Sequence, residues 1–410
     1  MQEFDVAIVG GGMVGASCAL ALAGSGRSVV LIEGSAPDGA AQPSFDERTT
    51  ALGNASRRIF AGLGVWEQLE PQAAAIRAIH VSEAGRFGFA RLQADAQGID
   101  AFGYVVANRA IGAALWSALA NAAGVSARVP ARPQSVAIAP DAVTLTIVDA
   151  AGAREHLKAR VVVAADGAHS VVRAAAGIAA SVEDYGQVAL VVNVQADRPH
   201  DGTAFERFTR TGPLAVLPLK DGSFTVVWTV TPEHAARLLG LDDAAFLQEL
   251  QTSFGWRAGR FVHAGRRASY ALNLTRAAAS VALRTALIGN AAQALHPVAG
   301  QGFNLGLRDA AMLAELLPAD DADPGAAALL GQFAEWRARD RSGVIRFTDG
   351  LIKLFGDERR SVGVLRNLGL LLFDLAPPAK SALARVSAGF GGPSPRLARG
   401  LSVTGSGTRG

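Results

Sequence analysis

A glycine-rich turn near the N-terminus constrains the fold of this chain more than any other feature. The run Gly10-Gly11-Gly12-Met13-Val14-Gly15 follows the apolar stretch Phe4–Val9 and precedes an alanine-rich stretch at 16–23. A G-x-G-x-x-G spacing between a strand and a helix is typical of the first βαβ unit of a Rossmann-like domain. Residues 29–32 are predicted to form the second strand of that unit.

The three spaced glycines have separate predicted roles in binding a dinucleotide. Gly10 permits the tight turn, Gly12 lets a pyrophosphate approach the backbone, and Gly15 lets the helix and strand pack closely. Glu33 ends the second predicted strand, where an acidic side chain binds ribose hydroxyls. Turn glycines and a solvated glutamate at a strand end are the structural alternatives. The motif does not distinguish FAD from NAD.

The same N-terminal stretch has no charged residue between Val6 and Gly26, a length that could suggest a membrane span or a signal sequence. The glycines divide it into a strand and a helix, and Glu3 and Asp5 precede it instead of a basic segment. We therefore expect a cytoplasmic protein, with peripheral contact on the inner face of the membrane as the one membrane option.

Composition indicates a globular α/β protein with two domains. The chain has 410 residues, which exceeds what one hydrophobic core usually serves, and half of them are hydrophobic. The formal net charge of +3 does not imply nucleic-acid binding. Cys18 is the only cysteine, which excludes an internal disulfide, and the seven histidines are too far apart in sequence to suggest a metal site.

Two further motifs follow the glycine-rich turn. Residues Arg160–Arg173 read RVVVAADGAHSVVR, a buried strand that leads into Asp166-Gly167 and the start of a helix. A second apolar strand begins at Ala286 and leads into GNAAQALHPVAGQGFNLGLRDA, which ends at Ala310. Each motif has the strand-then-helix context of a nucleotide-binding turn.

Together these motifs resemble the fingerprints of flavoprotein aromatic hydroxylases, and in particular those of the ubiquinone-biosynthesis branch. The resemblance extends over nearly the whole chain and includes Phe45-Asp46-Glu47-Arg48, Ala204–Phe208 and Gly212-Pro213-Leu214. It implies the architecture of a class A flavoprotein monooxygenase. In that α/β architecture, a Rossmann-like FAD-binding domain carries an inserted mixed or antiparallel β-sheet substrate domain and C-terminal helices.

The predicted domains are therefore discontinuous in sequence. Strand-like alternation is weak in 76–105 and strong in 183–272, and Asp221-Gly222 is a hairpin signal within the second region. The predicted FAD-binding parts are 1–75, 106–182 and 273–332, the predicted substrate-domain parts are 76–105 and 183–272, the C-terminal helical region is 333–388, and a disordered tail is expected over 389–410.

The resemblance also implies where several residues contact FAD. Arg48 is expected near the pyrophosphate, although a surface ion pair is the structural alternative. Asn108, at the start of the predicted helix 109–123, is expected to contact the flavin. Asp166 and Gly167 are expected where the flavin and reductant regions meet, with a helix N-cap as the alternative role for Asp166.

The third motif is expected to face the flavin ring system. Asn290 stands where most relatives have an aspartate facing the ribityl chain, and an asparagine can still hydrogen-bond a hydroxyl there. A helix beginning near Phe303 would point its N-terminus at the reduced ring, whose negative charge the backbone N–H groups can stabilise. The turn covering the isoalloxazine ring is expected to consist of Pro297, Gly300, Gln301, Gly302 and Asn304.

The activity implied by the resemblance is hydroxylation of the aromatic ring of a polyprenyl (methoxy)phenol in ubiquinone biosynthesis. FAD, NAD(P)H and O₂ would be used, with oxygen transfer through a flavin C4a-hydroperoxide. Only one dinucleotide fingerprint is present, so the nicotinamide is expected to bind transiently. The sequence nominates no residue for proton transfer.

Other functions remain open at this stage. A hydroxylase of small phenols or a flavin-dependent reductase could use the same scaffold, because fold does not determine function. A non-catalytic subunit of a ubiquinone-biosynthesis assembly is a further class, and such an assembly is also an expected partner. The apolar and basic residues from Val344 to Phe373 suggest an amphipathic segment that contacts a membrane surface.

Overall fold

The computed structural model of the chain describes residues 1–37, 48–86, 88–294, 301–317, 322–356 and 394–403. At Gln301 and residues 342–356 it describes the helical backbone. The predictions made for Pro297 and Gly300, and for residues 389–393 and 404–410 of the C-terminal tail, lie outside the described residues. The disorder expected for the tail is not found over 394–403, where Leu397 and Ala398 are buried in the core and Leu397–Arg399 form a short 3₁₀ helix.

The described strands, in chain order, are β1 (Gln2–Val9), β2 (Val29–Ile32), β3 (Thr49–Gly53), β4 (Ala74–Ile76), β5 (Ala78–Glu83), β6 (Phe89–Gln93), β7 (Gly103–Ala107), β8 (Val125–Arg128), β9 (Ala131–Ile138), β10 (Val143–Asp149), β11 (Arg154–Ala164), β12 (Ala180–Ala196), β13 (Thr203–Thr209), β14 (Gly212–Pro218), β15 (Phe224–Val230), β16 (Phe261–Ala264), β17 (Ala268–Ala277), β18 (Val281–Ala282), β19 (Thr285–Leu287) and β20 (Gln293–Ala294).

The described α-helices are α1 (Met13–Leu22), α2 (Asn54–Gly62), α3 (Trp66–Leu69), α4 (Asn108–Leu119), α5 (Val171–Ala175), α6 (Pro232–Gly240), α7 (Asp243–Phe254), α8 (Gln301–Leu316) and α9 (Ala327–Gly356). None of these helices has an apolar stretch long enough to cross a bilayer.

An eight-stranded sheet contains the N-terminal βαβ unit. Strands β19, β11, β1, β2 and β8 are adjacent and parallel, while β9 and β10 extend the sheet in antiparallel fashion from β11. The apolar side chains on one face of this sheet pack against α1, which in turn contacts α4 and α8. A strand buried on both faces reads as a continuous apolar run, as β2 does.

A nine-stranded sheet contains the second set of strands, in the order β20-β17-β12-β15-β14-β13-β5-β6, with β16 paired to β12. The pairs are antiparallel except for β13 with β5, which is parallel. One face packs against α6 and α7 through side chains such as Leu190, Trp228 and Phe246. The β14–β15 hairpin turns at residues 219–223, where Asp221-Gly222 predicted it.

A small sheet, β3-β7-β4, joins the two large ones. Its apolar side chains, including Ile76 and Val105, pack with Ala204 of β13 on the face of the nine-stranded sheet that α6 and α7 do not cover. We call this the inner face.

The predicted α/β fold class is confirmed. The described chain contains one sheet whose central strands are parallel and a second sheet in which every pair but one is antiparallel. Two boundaries differ from prediction. The helix expected over 109–123 is α4 and ends at Leu119, and the C-terminal helix expected from Phe333 begins at Ala327. The second difference arises because Ala327-Ala328-Leu329-Leu330 are themselves strong helix formers.

Candidate functional site

The glycine-rich turn lies where the first parallel strand meets α1. Gly10 has a φ of +101°, and a Cβ there would overlap the Ala165 carbonyl, while a Cβ at Gly15 would overlap the Gly10 carbonyl. Both positions therefore require glycine. Gly12 is the N-cap of α1 and provides no side-chain cap, so the first N–H groups of the helix are arranged as in an anion-binding site.

Glu33 lies directly beside this turn. Its Oε2 accepts a hydrogen bond from Gly11 N–H at 2.6 Å, and its Oε1 accepts one from Ser35 N–H at 2.9 Å. The indole of Trp116 in α4 donates to the Gly11 carbonyl at 3.1 Å. The position of Glu33 suits a ribose next to the phosphates. Trp116 was not identified from the sequence, where it appears as one apolar residue of a helix.

Asp166 and Gly167 follow the parallel strand next to β1. Oδ2 of Asp166 accepts from Val171 N–H at 2.8 Å and from Val172 N–H at 3.3 Å, while Ser170 is the N-cap of α5. Asp166 therefore supports the start of α5 without occupying the N-cap position. Its Oδ1 is buried and accepts no hydrogen bond from the described residues, which leaves one acceptor available for a ligand hydroxyl.

Arg48 and Asn108 lie opposite each other at one end of the antiparallel β3–β7 pair. The Asn108 N–H donates to the Arg48 carbonyl at 2.8 Å, and buried Asn108 Oδ1 accepts from the Thr50 hydroxyl at 2.7 Å. The Arg48 guanidinium lies 4.6 Å from the centre of the Tyr270 ring in the nine-stranded sheet. Arg48 therefore links the small sheet to the nine-stranded sheet, and this cation–π contact was not predicted.

The turn after β19 carries Asn290, whose side chain is exposed. Gly289 has a φ of +56° and packs against Val14 of α1, and an added Cβ at Gly306 would also lie against Val14, 2.8 Å from one of its methyl groups. The structure thus brings the Asn290 turn, α8 and the start of α1 together, although they are far apart in sequence.

A buried network of ion pairs between α8 and α9 contacts the turn that carries Asn290. Gly289 N–H donates to Asp309 Oδ2 at 3.1 Å, and Asp309 also pairs with Arg337 of α9. Arg308 pairs with Asp340 at 3.0 Å. Burial raises the pKa of Asp309 to about 6, against the opposing effect of Arg337. The sequence analysis missed Arg337 and Asp340, although their i, i+3 spacing on one helix was a usable signal.

The predicted turn over the isoalloxazine ring is described only from Gln301 onward. Gly302 lies at the start of α8 in open space. The side chain of Asn304 is directed elsewhere: Oδ1 accepts from Gly53 N–H at 3.0 Å and from the Ser56 hydroxyl at 2.6 Å, and Nδ2 donates to the Ala51 carbonyl at 2.9 Å. In this arrangement Asn304 fastens α8 to β3 and α2.

The described residues fit an extended dinucleotide. Glu33 offers a carboxylate at one end, the uncapped N-terminus of α1 offers N–H groups in the middle, and exposed Asn290 and the unpartnered Asp166 Oδ1 offer polar atoms beyond it. That order matches ribose, phosphates and a second polyhydroxyl chain.

Comparison with known proteins agrees with this geometry. The model of a family described as FAD binding domain matches residues 3–348. The chain is 38% identical to ubiquinone hydroxylase UbiL of Rhodospirillum rubrum, over 97% of this chain and 93% of the relative. It is 34% identical to 3-demethoxyubiquinol 3-hydroxylase of Escherichia coli, over 77% and 80% of the two chains.

Solved structures share the fold at low sequence identity. The p-nitrophenol 4-monooxygenase PnpA of Pseudomonas putida has a TM-score of 0.77 at 20% identity, covering 96% of this chain and 99% of that one. PqsL of Pseudomonas aeruginosa in complex with 2-aminobenzoylacetate has a TM-score of 0.72 at 21% identity, covering 89% and 100%. At these identities the likeness concerns the fold alone.

Proposed function

Because this chain belongs to the FAD binding domain family, we propose that it is an FAD-dependent aromatic hydroxylase whose substrate is a polyprenylated (methoxy)phenol of ubiquinone biosynthesis. The observation that carries the proposal is the 38% identity, over nearly the full length of both chains, to a protein named as a ubiquinone hydroxylase. The residues that surround the glycine-rich turn support the cofactor.

In this proposal the chain itself holds and orients FAD. Glu33 binds ribose hydroxyls, the N-terminus of α1 binds the pyrophosphate, and Asn290 and Asp166 bind the flavin half. When bound, FAD supplies the redox and oxygen-activating chemistry. The roles of Arg48, Asn108, Gly167, Gln301 and Gly302 as cofactor contacts, and the oxygen-transfer route, stay predictions.

The reductant is proposed to be NAD(P)H, which binds transiently because only one dinucleotide fingerprint is present in the sequence. The substrate domain is proposed to combine 76–105 with 183–272, since β5, β6 and β12 to β17 share one sheet. Its apolar inner face would form the floor of the substrate pocket. A prenyl tail gains about 0.8 kcal/mol for each CH₂ group that it buries there.

The decisive experiment is product analysis with the purified protein. We expect a yellow protein with about one FAD per chain, as a single glycine-rich fingerprint implies. It should be incubated with NADH or NADPH, O₂ and matched prenylated and unprenylated phenols, and peroxide should be measured to detect uncoupled oxidation.

Coupled ring hydroxylation of the prenylated phenol is the expected result. Turnover of small polar phenols alone would assign the enzyme to a different substrate class, and NAD(P)H oxidation without oxygen consumption would indicate a reductase. A colourless protein that cannot be reconstituted with FAD would overturn the proposal.

A further inference from the structure

A carboxylate lies in the apolar part of the nine-stranded sheet, and the cofactor site does not explain it. Glu206 is in the middle of β13, where it is opposite Val81 of β5 and Ala215 of β14. Ala215 in turn is opposite Val227 of β15. Since paired residues share a face of a sheet, Glu206 is surrounded along and across the sheet by small and apolar side chains.

The neighbours of Glu206 on β13 establish which face it is on. Phe205 packs edge-to-face on Phe254 of α7, with ring centres 5.5 Å apart, and Arg207 donates to the Ser253 carbonyl at 3.0 Å. Both side chains are therefore on the α7 side. Because successive side chains in a strand alternate, Glu206 and Ala204 are on the inner face, and Ala204 packs there against the small sheet.

The environment of Glu206 is unusual for a glutamate. Its Oε1 is buried and has no hydrogen-bond partner among the described residues. Burial alone raises the pKa of Glu206 to about 7, and no charged side chain contributes to that shift. Ionisable side chains on the inner face, or on the segment packed against it, include Glu83, His263 and Tyr270, on which Arg48 stacks.

Glu206 also retains some accessible surface, since the residue as a whole is half-buried. An unpartnered buried carboxylate destabilises a fold, so its presence indicates a role in binding or chemistry.

We propose that Glu206 receives the phenolic hydroxyl of the substrate at the inner face and takes its proton. This inference rests on the proposed hydroxylase function. The phenol O–H bond breaks, an O–H bond forms on the Glu206 carboxylate, and the electron pair stays on the phenol oxygen, where it enriches the ring for attack on an electrophilic oxygen.

The overall reaction balances with the co-reactants already named. The phenol, O₂, NAD(P)H and one proton give the dihydroxylated ring, water and NAD(P)⁺, and the nicotinamide supplies the two electrons. The hydroxylated ring carbon loses its hydrogen as a proton, which is taken up in the water that forms, and Glu206 returns its own proton to the phenolate oxygen. Glu206 is therefore unchanged after one turnover.

His80 is the neighbouring titratable group that could serve as an alternative base, and its position excludes it. It is opposite Phe205 in the parallel β13–β5 pair and therefore lies on the α7 side. Burial, together with Arg257 and Arg91, lowers its pKa to about 4, and Arg257 lies 2.9 Å from its Nε2. His80 is thus a poor base and is on the wrong face of the sheet.

The test compares Glu206→Gln, which keeps the shape of the side chain, with the control Glu183→Gln, an exposed carboxylate of β12 in the same sheet. The measurements are FAD content, the rate of flavin reduction by NAD(P)H, the hydroxylated product formed per NAD(P)H, and the hydroxylation rate between pH 5.5 and 9.

In the wild type the hydroxylation rate should rise as the pH passes through about 7, because the acceptor must be ionised. E206Q should lose that rise, hydroxylate about 100-fold more slowly at pH 8 and release more peroxide, while FAD content and flavin reduction are retained. E183Q should match the wild type. Equal pH profiles and product yields in E206Q and the wild type would overturn the inference.

If the wild type itself forms no hydroxylated product, the proposed function is wrong, and this outcome is distinct from a failure of the inference about Glu206. If E206Q does not retain FAD, the test uses the wild type instead. Its hydroxylation rate is then measured against pH with the phenol and with the methyl ether of that phenol. A rise through about pH 7 with the phenol alone supports the inference, because a free phenol ionises near pH 10. The same rise with the methyl ether overturns it.

Discussion

At the scale of single residues, glycine is essential where two backbones approach each other. Gly15 of α1 faces the carbonyl of Gly10 across the first turn of the βαβ unit, and that carbonyl leaves no space for a Cβ. The contact fixes how close the helix lies to the strand, and therefore where the N–H groups at its start point.

Gly15→Ala should therefore weaken FAD binding and the fold together. The added methyl group must push α1 away from β1, which we expect to lower the free energy of unfolding by about 1–3 kcal/mol. Denaturant unfolding and the flavin absorbance of the purified protein measure the two effects. Gly240→Ala is the matched control, because no atom lies within 4 Å of a Cβ at Gly240; equal behaviour of the two variants would contradict the prediction.

Glu206 should reduce stability at neutral pH. Its pKa in the folded protein, about 7, lies above its ordinary value of 4.5, so the unfolded chain releases the proton first as pH rises. As the pH rises from 4.5 to 7, the free energy of unfolding of the wild type therefore falls, whereas that of Glu206→Gln does not. The advantage of E206Q in the free energy of unfolding should grow by about 2 kcal/mol from pH 5 to pH 8. A pH-independent difference in urea titrations would be inconsistent with a buried, unpartnered carboxylate.

At the scale of elements, α8 connects three parts of the molecule. Asn304 fastens it to β3 and α2, Asp309 fastens it to the turn that carries Asn290, and Arg337 links it to α9. Its buried polar side chains therefore specify the position of several segments at once.

Asn304→Ala should destabilise the fold by about 2–4 kcal/mol. It leaves Gly53 N–H, the Ser56 hydroxyl and the Ala51 carbonyl without their Asn304 partner in a buried site. Asn304→Asp keeps both acceptor interactions and loses the donor to Ala51, so thermal unfolding at pH 5, where a buried carboxyl is protonated, should place it between the wild type and Asn304→Ala. The reverse order would show that the amide group is not held as described.

Arg337→Met should lower the free energy of unfolding more at high pH than at low pH. Burial already raises the pKa of Asp309 to about 6, above its ordinary 3.8, and Arg337 opposes that rise. Without the arginine, the ionised carboxylate is uncompensated, and we expect a loss of about 3–5 kcal/mol at pH 8. Below pH 6 the protonated carboxyl relieves the penalty. Unfolding at pH 5 and pH 8, with the double variant R337M/D309N as control, measures this; equal losses at both pH values would refute it.

At the scale of the whole molecule, the proposed function divides the three sheets into a cofactor-binding part and a substrate-binding part that share the small β3-β7-β4 sheet. The prenylated substrate that we propose would reach the inner face from a membrane or a carrier. The sequence from Val344 to Phe373 was predicted to contact the membrane, and the structure describes its helical backbone as far as Gly356.

Polar substitutions at Leu351, Leu354 and Phe355 should weaken flotation of the protein with anionic liposomes, because an amphipathic segment binds through its buried apolar area. Trp256→Gln is the control, since Trp256 is an exposed apolar residue (66%) of the substrate-binding part. Unchanged flotation of the triple variant would remove this segment as the membrane contact.

The sequence predicted those parts of the site that depend on local pattern. Gly10 and Asp166 come immediately after the ends of strands and Gly15 lies in the helix that follows the first turn, so spacing alone locates them. Glu206 could not be recognised in this way, because Phe205 and Arg207 share the opposite face and the strand shows no clean polar and apolar alternation. The i, i+3 spacing of Arg337 and Asp340 is visible in the sequence, but the pairing of Arg337 with Asp309 is not, because long-range packing brings Asp309 to it.

The parallel pairing of β13 with β5 has a consequence for engineering. Residues more than 100 positions apart in sequence form adjacent strands, so a fragment beginning at β12 would expose the unpaired edge of β13. Such an edge invites aggregation. A chimaera that aims to transfer the substrate preference of one relative to another must therefore graft residues 78–93 together with the later strands, because either segment alone would bring the wrong neighbour against Glu206.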